Sequence, residues 1–115
     1  MTLSSYDAVI EDGAREARGR EQQALNHGIA LLKRFQSGDI PSSDGAEALL
    51  YIRRLWTFFV EDLSSPRNGL PEKLRAELIS IGLWIIGEAD RIRQEGSTEV
   101  AELVAINTVI RDALA

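Results

Sequence analysis

A chain of 115 residues, 44% of them apolar, is long enough for one domain with a buried core. It has no cysteine, which excludes a disulfide framework, cysteine–histidine zinc sites and thiol catalysis and is compatible with a reducing cytoplasm. The net charge of −5 argues against general attraction to a phosphate backbone, which needs a concentrated positive surface.

The opening MTLSSYDAVIEDG has no basic region followed by an apolar run, so it does not read as a secretory signal. The first predicted helix spans residues 5–36, with Ser4 or Ser5 as its cap and Asp7 and Glu11 near the positive end of its dipole. Ser37-Gly38-Asp39-Ile40-Pro41 ends it through a glycine exit and a following proline. Between Glu11 and Gln23 its apolar positions are all alanines, and Gly13 and Gly19 each cost about 1 kcal/mol relative to alanine. Leu25, Ile29, Leu32 and Phe35 give the second half a face for a core. The first half is therefore expected to fray or to depend on a partner.

The second helix is predicted over residues 44–63, with Asp44 and Glu47 in a capping-box-like spacing. Leu49, Leu50, Ile52, Leu55, Trp56, Phe59, Val60 and Leu63 cover more than one of its faces, the pattern of a central or partner-covered helix. The third helix is predicted over residues 71–94, with Pro71 at its first position, where a missing amide costs nothing, and Gly96 beyond its end. Leu74, Leu78, Ile81, Ile85 and Ile92 form one stripe, Ile79, Leu83 and Ile86 a second, and Trp84 widens the surface. Gly82 and Gly87 are expected to permit close backbone approach, either internally or by a partner. The fourth helix, over residues 98–114, is capped by Ser97 or Thr98 and carries Val100, Leu103, Val104, Asn107 and Ile110 on one side. The apolar run of residues 78–87 has about ten residues where a bilayer needs about 20, so no membrane span is expected. The fold expected is all-α, a small four-helix bundle in a single domain over residues 1–115.

No constellation for catalysis emerges. His27 stands alone, and the neighbouring carboxylates Glu61 and Asp62 project to different faces of a helix, as do Glu11 and Asp12. The glycines carry neither a dinucleotide nor a P-loop fingerprint, so no enzyme, metal site or cofactor is expected. Arg15, Arg18 and Arg20 alternate with Glu16 and Glu21, the pattern of a solvated face, and the connection from Leu63 to Pro71 is too long for a helix-turn-helix. Protein binding is the remaining class. Trp56, Phe58, Phe59 and Trp84, each of which alone reads as core, together exceed what a small bundle must bury. The candidate partner-binding set is Trp56, Phe58, Phe59, Leu78, Ile81, Trp84, Ile85 and Asn107, with Asn107 also read as a hydrogen-bonded buried polar group.

Several runs carry a resemblance: Arg54-Leu55-Trp56, Asp62-Leu63, Asn68-Gly69-Leu70-Pro71, Leu74-Arg75-Ala76, Ser80-Ile81-Gly82-Leu83-Trp84, and the ending Leu103-Val104-Ala105-Ile106-Asn107 with Ile110 and Leu114. The chain resembles, over essentially its whole length, the FlaF family of flagellar biosynthesis regulators from alphaproteobacteria. The resemblance implies a cytoplasmic protein that promotes flagellin production, acts opposite the partner regulator FlbT, and binds flagellin as an export chaperone. It supplies no residue-level binding motif. Two rival readings stay open: a regulator that contacts flagellin messenger RNA directly or through FlbT, and a non-catalytic adaptor whose apolar faces close a homodimer.

Overall fold

The structure is a computed structural model. It describes residues 5–38 and 42–114, with the side chains of residues 5–12, 14 and 42–44 outside that description. Four helices make up the fold: α1 (Ser5–Ser37), α2 (Ser42–Ser64), α3 (Glu72–Glu95) and α4 (Ala101–Ala113), with no strand among the described residues. α2 packs between α1 and α3, and α4 closes the ring by lying along α1 with a much slighter contact to α3. The expected bundle is therefore the observed one.

Close-approach points show where the neighbouring helices meet. A Cβ on Gly28 of α1 would stand 2.7 Å from Ile52 Cδ1 of α2, and one on Gly45 of α2 would run into the Phe35 ring of α1. On the other side of α2, a Cβ on Gly82 of α3 would stand 2.7 Å from Val60 Cγ2 and 2.9 Å from Trp56 Cε3. Gly87 takes no part in this internal approach: nothing lies within 4 Å of its would-be Cβ, because it faces away from the bundle. The core itself runs from Leu25, Leu32 and Phe35 through Leu49, Ile52 and Trp56 to Ile85 and Ile92, and ends on Val100 and Leu103. α2 is apolar on more than one face because it has a neighbour on two sides.

Helix boundaries follow local chemistry, with some corrections. Gly38 adopts φ +77° at the exit of α1, and Gly96 adopts φ +64° after α3. Gly96 N–H reaches Arg93 O at 3.3 Å and Ser97 N–H reaches Ile92 O at 3.1 Å, the paired bonds of a Schellman ending. Pro71 is the N-cap of α3 rather than its first residue, with φ −56° and ψ 143°, and its carbonyl accepts from Arg75 N–H. α4 begins at Ala101, later than expected. Ser97 Oγ accepts from Glu99 N–H and Thr98 O from Val100 N–H, so these residues build a turn and Val100 becomes the N-cap. α2 starts at Ser42 instead of Asp44, and the side chain of Asp44 lies outside the described residues, as do Ser4 and the stretch 39–41.

The 33 residues of α1 set the long dimension of the molecule, 58 Å against 26 and 18 Å, since such a helix alone extends about 50 Å. Its core contributions begin at Leu25, while Gly13, Arg15, Glu16, Arg18, Gly19 and Arg20 are exposed. The backbone there is helical without a packed apolar face beneath it.

Candidate functional site

The slight contact between α3 and α4 has a structural consequence. Where the two helices stand apart, a cleft of about 560 Å³ opens between the N-terminal half of α1, the end of α2, the 65–70 turn, Leu78 of α3 and the end of α4. Trp56 and Phe59 form its floor, their rings meeting edge-on at 5.2 Å and 86°. Leu63, Leu78, Ile110 and Leu114 supply apolar walls, and Arg18, Glu21, Asp62 and Arg67 stand among its lining residues. α1 contributes Ala17 at this level, a side chain too small to fill the space beside it.

The surroundings hold this floor still. Trp56 Nε1 donates to Asn107 Oδ1 at 2.7 Å, a fully buried bond between α2 and α4, and Asn107 Nδ2 donates to Leu103 O at 2.7 Å. The turn is equally determined. Asn68 Nδ2 donates to Asp62 Oδ2 at 3.2 Å, Leu70 N–H donates to Asn68 Oδ1 at 3.0 Å, and Arg75 reaches back from α3 to the carbonyls of Leu63 and Ser65. The Ser/Pro/Asn/Gly run therefore closes the end of α2 and fixes one edge of the cleft.

The candidate residues read from the sequence divide three ways. Phe59 and Leu78 line the cleft, with Trp56 beneath them. Ile85 and Asn107 are buried in the bundle, and Ile81 packs half-buried against the core, so these three support the fold. Phe58 and Trp84 are exposed, at 61% and 45%, but on different helices. Phe58 touches Phe59 with ring centroids 6.2 Å apart, so it borders the floor from outside. Ile110 and Leu114 were absent from the candidate set, although they continue the Leu103–Asn107 stripe at helical spacing. No spacing signal pairs Glu21 with Asp62, because only the folded chain brings α1 and the end of α2 together.

The family model for flagellar protein FlaF matches residues 2–114. The chain belongs to the FlaF family. No curated protein and no solved structure matches it. Every cleft residue of this FlaF-family chain, from Ala17 to Leu114, falls within the matched span. Its electrostatics are uneven. Burial raises the pKa of Glu21, the charge of Asp62 raises it further, and Arg18 and Arg20 oppose the shift.

A second depression in the FlaF-family fold, of about 520 Å³, lies between α1 and α2 and is lined by His27, Arg34, Glu47, Tyr51 and Arg54 among others. The Tyr51 hydroxyl donates to Ala24 O at 3.1 Å, burial raises its pKa, and its ring meets His27 edge-on at 4.9 Å. Those contacts make Tyr51 a tie between the helices. Among the described residues no group of three or more His, Cys, Asp or Glu is placed to hold a metal ion, and no helix is long and apolar enough to cross a membrane.

Proposed function

We propose that this FlaF-family chain is a cytoplasmic, non-catalytic export chaperone for flagellin that promotes flagellin synthesis. In this reading it holds a helical segment of flagellin in the cleft at the end of the bundle. The observation that carries the reading is the cleft itself: an aromatic floor of Trp56 and Phe59, with Leu78, Ile110 and Leu114 around it, left open by the separation of α3 from α4. An amphipathic helix laid in such a groove buries its apolar ridge against fixed side chains. Flagellin's terminal segments are apolar and helix-forming, and before assembly they are disordered. Ordering them on binding offsets part of the contact energy, which suits reversible hand-over to an export machine. The regulatory effect, opposite FlbT, then follows from sequestration of free flagellin.

Co-purification with flagellin of the same organism, followed by titration of its terminal segments, tests the proposal. Leu70→Glu, at a cleft residue 40% exposed and so safe for folding, and Ile110→Glu, at a half-buried wall, are expected to weaken binding by about tenfold or more. Binding by no flagellin of that organism removes the chaperone role. A shift of flagellin message at low salt, abolished by charge reversal at Arg18 and Arg20, would transfer the regulatory role to direct RNA contact.

A further inference from the structure

The walls of the cleft are chemically unequal. α3 and α4 bring Leu78, Ile110 and Leu114, whereas α1 and α2 bring the carboxylates Glu21 and Asp62 to its border. Among the described residues neither carboxylate is in an ion pair, and Asp62 is fixed by the Asn68 amide of the turn. The remaining charged residues lining the cleft are Arg18, on the same helix as Glu21, and Arg67 of the turn. Glu21 is half-buried beside a like charge, and Arg18 and Arg20 offset only part of that cost, so a further cation arriving from outside would be stabilised there.

We propose that the cleft is a receptor for an amphipathic helix that seats an apolar ridge on Trp56, Phe59 and Ile110 and places a lysine or arginine against Glu21 and Asp62. The inference rests on the helix-binding role above and adds the charge the bound helix must carry. The overall charge of −5 works in the same direction, since it draws a basic segment and repels an acidic one. Selection then has two parts. The apolar floor demands a ridge at helical spacing, and the acidic border fixes its register and direction by accepting a cation at one place along it.

The test uses the full chain and a set of synthetic amphipathic peptides with leucine at i, i+3, i+4 and i+7. One flanking position, moved stepwise along the helix, carries lysine in one series and glutamate in the other. Calorimetric titration is expected to give a register at which the lysine peptide binds about tenfold more tightly than its glutamate twin, with the ratio shrinking as salt is added. Glu21→Lys combined with Asp62→Lys is expected to invert the preference. Glu21→Gln is expected to weaken the lysine peptide while raising the Tm at neutral pH, whereas a merely structural Glu21 would lower the Tm and affect both series alike. Equal binding of the two series, or binding of neither, overturns the inference. The flagellin titration is read separately. Flagellin binding with charge-blind peptides leaves the chaperone role standing and removes the charge rule, and charge-selective peptides without flagellin binding do the reverse.

Discussion

Among the described residues Asn107 is the single buried polar side chain of the core, and its replacement tests whether the floor of the cleft is held by a hydrogen bond or by packing alone. Asn107→Ala leaves the Trp56 indole N–H buried without an acceptor, because that group has only the 2.7 Å bond to Asn107 Oδ1. An orphaned buried donor costs about 1–3 kcal/mol, and the vacated side-chain volume adds to it. The Leu103 carbonyl is spared, since it still accepts from the helix backbone. A total of about 3 kcal/mol is therefore expected. For 115 residues the unfolding entropy is about 0.24 kcal/mol/K, so the Tm should fall by about 12 °C. Removing both partners is the sharper experiment. Trp56→Phe with Asn107→Leu leaves neither a donor nor an acceptor stranded, so the double variant should be more stable than the summed single losses of Trp56→Phe and Asn107→Leu by about 1–2 kcal/mol. Urea and thermal unfolding followed by far-UV circular dichroism measure all four corners of the cycle. Additivity within about 0.5 kcal/mol would falsify the claim that this bond, and not the shape of the two side chains, couples α2 to α4.

Gly82→Ala should destabilise the bundle by about 1–2 kcal/mol, since its Cβ meets Val60 and Trp56 under 3 Å, while Gly87→Ala should stabilise it by up to about 1 kcal/mol; urea midpoints compare them. Amide exchange across residues 11–23 should be fast and that of residues 25–35 slow, and Gly13→Ala with Gly19→Ala should slow the former, as nothing packs within 4 Å of either glycine. Glu21, whose folded pKa is raised by burial and by Asp62, makes the fold lose stability as pH climbs from the ordinary glutamate value through the raised one. Glu21→Gln should remove that loss at neutral pH and change nothing in acid, as thermal melts across pH will report. Glu88 has the opposite sign: the Arg91 hydrogen bond lowers its pKa, so its contribution is present above the ordinary value and fades as pH falls through the lowered one. Arg91→Gln should flatten that acid limb.

The elements were legible because each is announced by chemistry that acts locally: Gly38 and Gly96 where a left-handed residue is required, prolines confined to turns, and apolar stripes that repeat at helical spacing. The misplaced starts of α3 and α4 share one cause. Ser97, Thr98 and Pro71 are residues that serve a turn and a first helical position equally well, and the hydrogen bonds that decide between them involve backbone groups the sequence does not display. Gly82 and Gly87 divide for another reason. A glycine states that close approach is permitted, and only the rotation of α3 about its axis decides which glycine is used.

The cleft was half legible, and the boundary between the halves is physical. Excess apolar surface on α2 and α3 could be counted along the chain, yet counting cannot separate a side chain turned inward from one turned toward the gap. Ile81 and Trp84 are three residues apart on one helix, and the first packs half-buried on the core while the second is 45% exposed. What assigns them is the rotation of α3 about its axis, which turns Ile81 toward the core and Trp84 away from it. From Gly13 to Gly19 α1 offers no large apolar side chain, and the end of α4 meets it at Gln22 and Asn26: Gln22 Nε2 donates to Arg111 O and Arg111 Nη1 donates to Asn26 Oδ1. The bare flank of the first helix and the apolar walls of the third and fourth border the same cleft. A helix that filled the cleft would meet the bare flank of α1 at Ala17 and the apolar walls of α3 and α4 at Leu78 and Ile110, completing both at once. Binding should therefore slow amide exchange in the first half of α1 as well as protect the cleft, and a ligand that protects the cleft alone would show that the two features are unrelated.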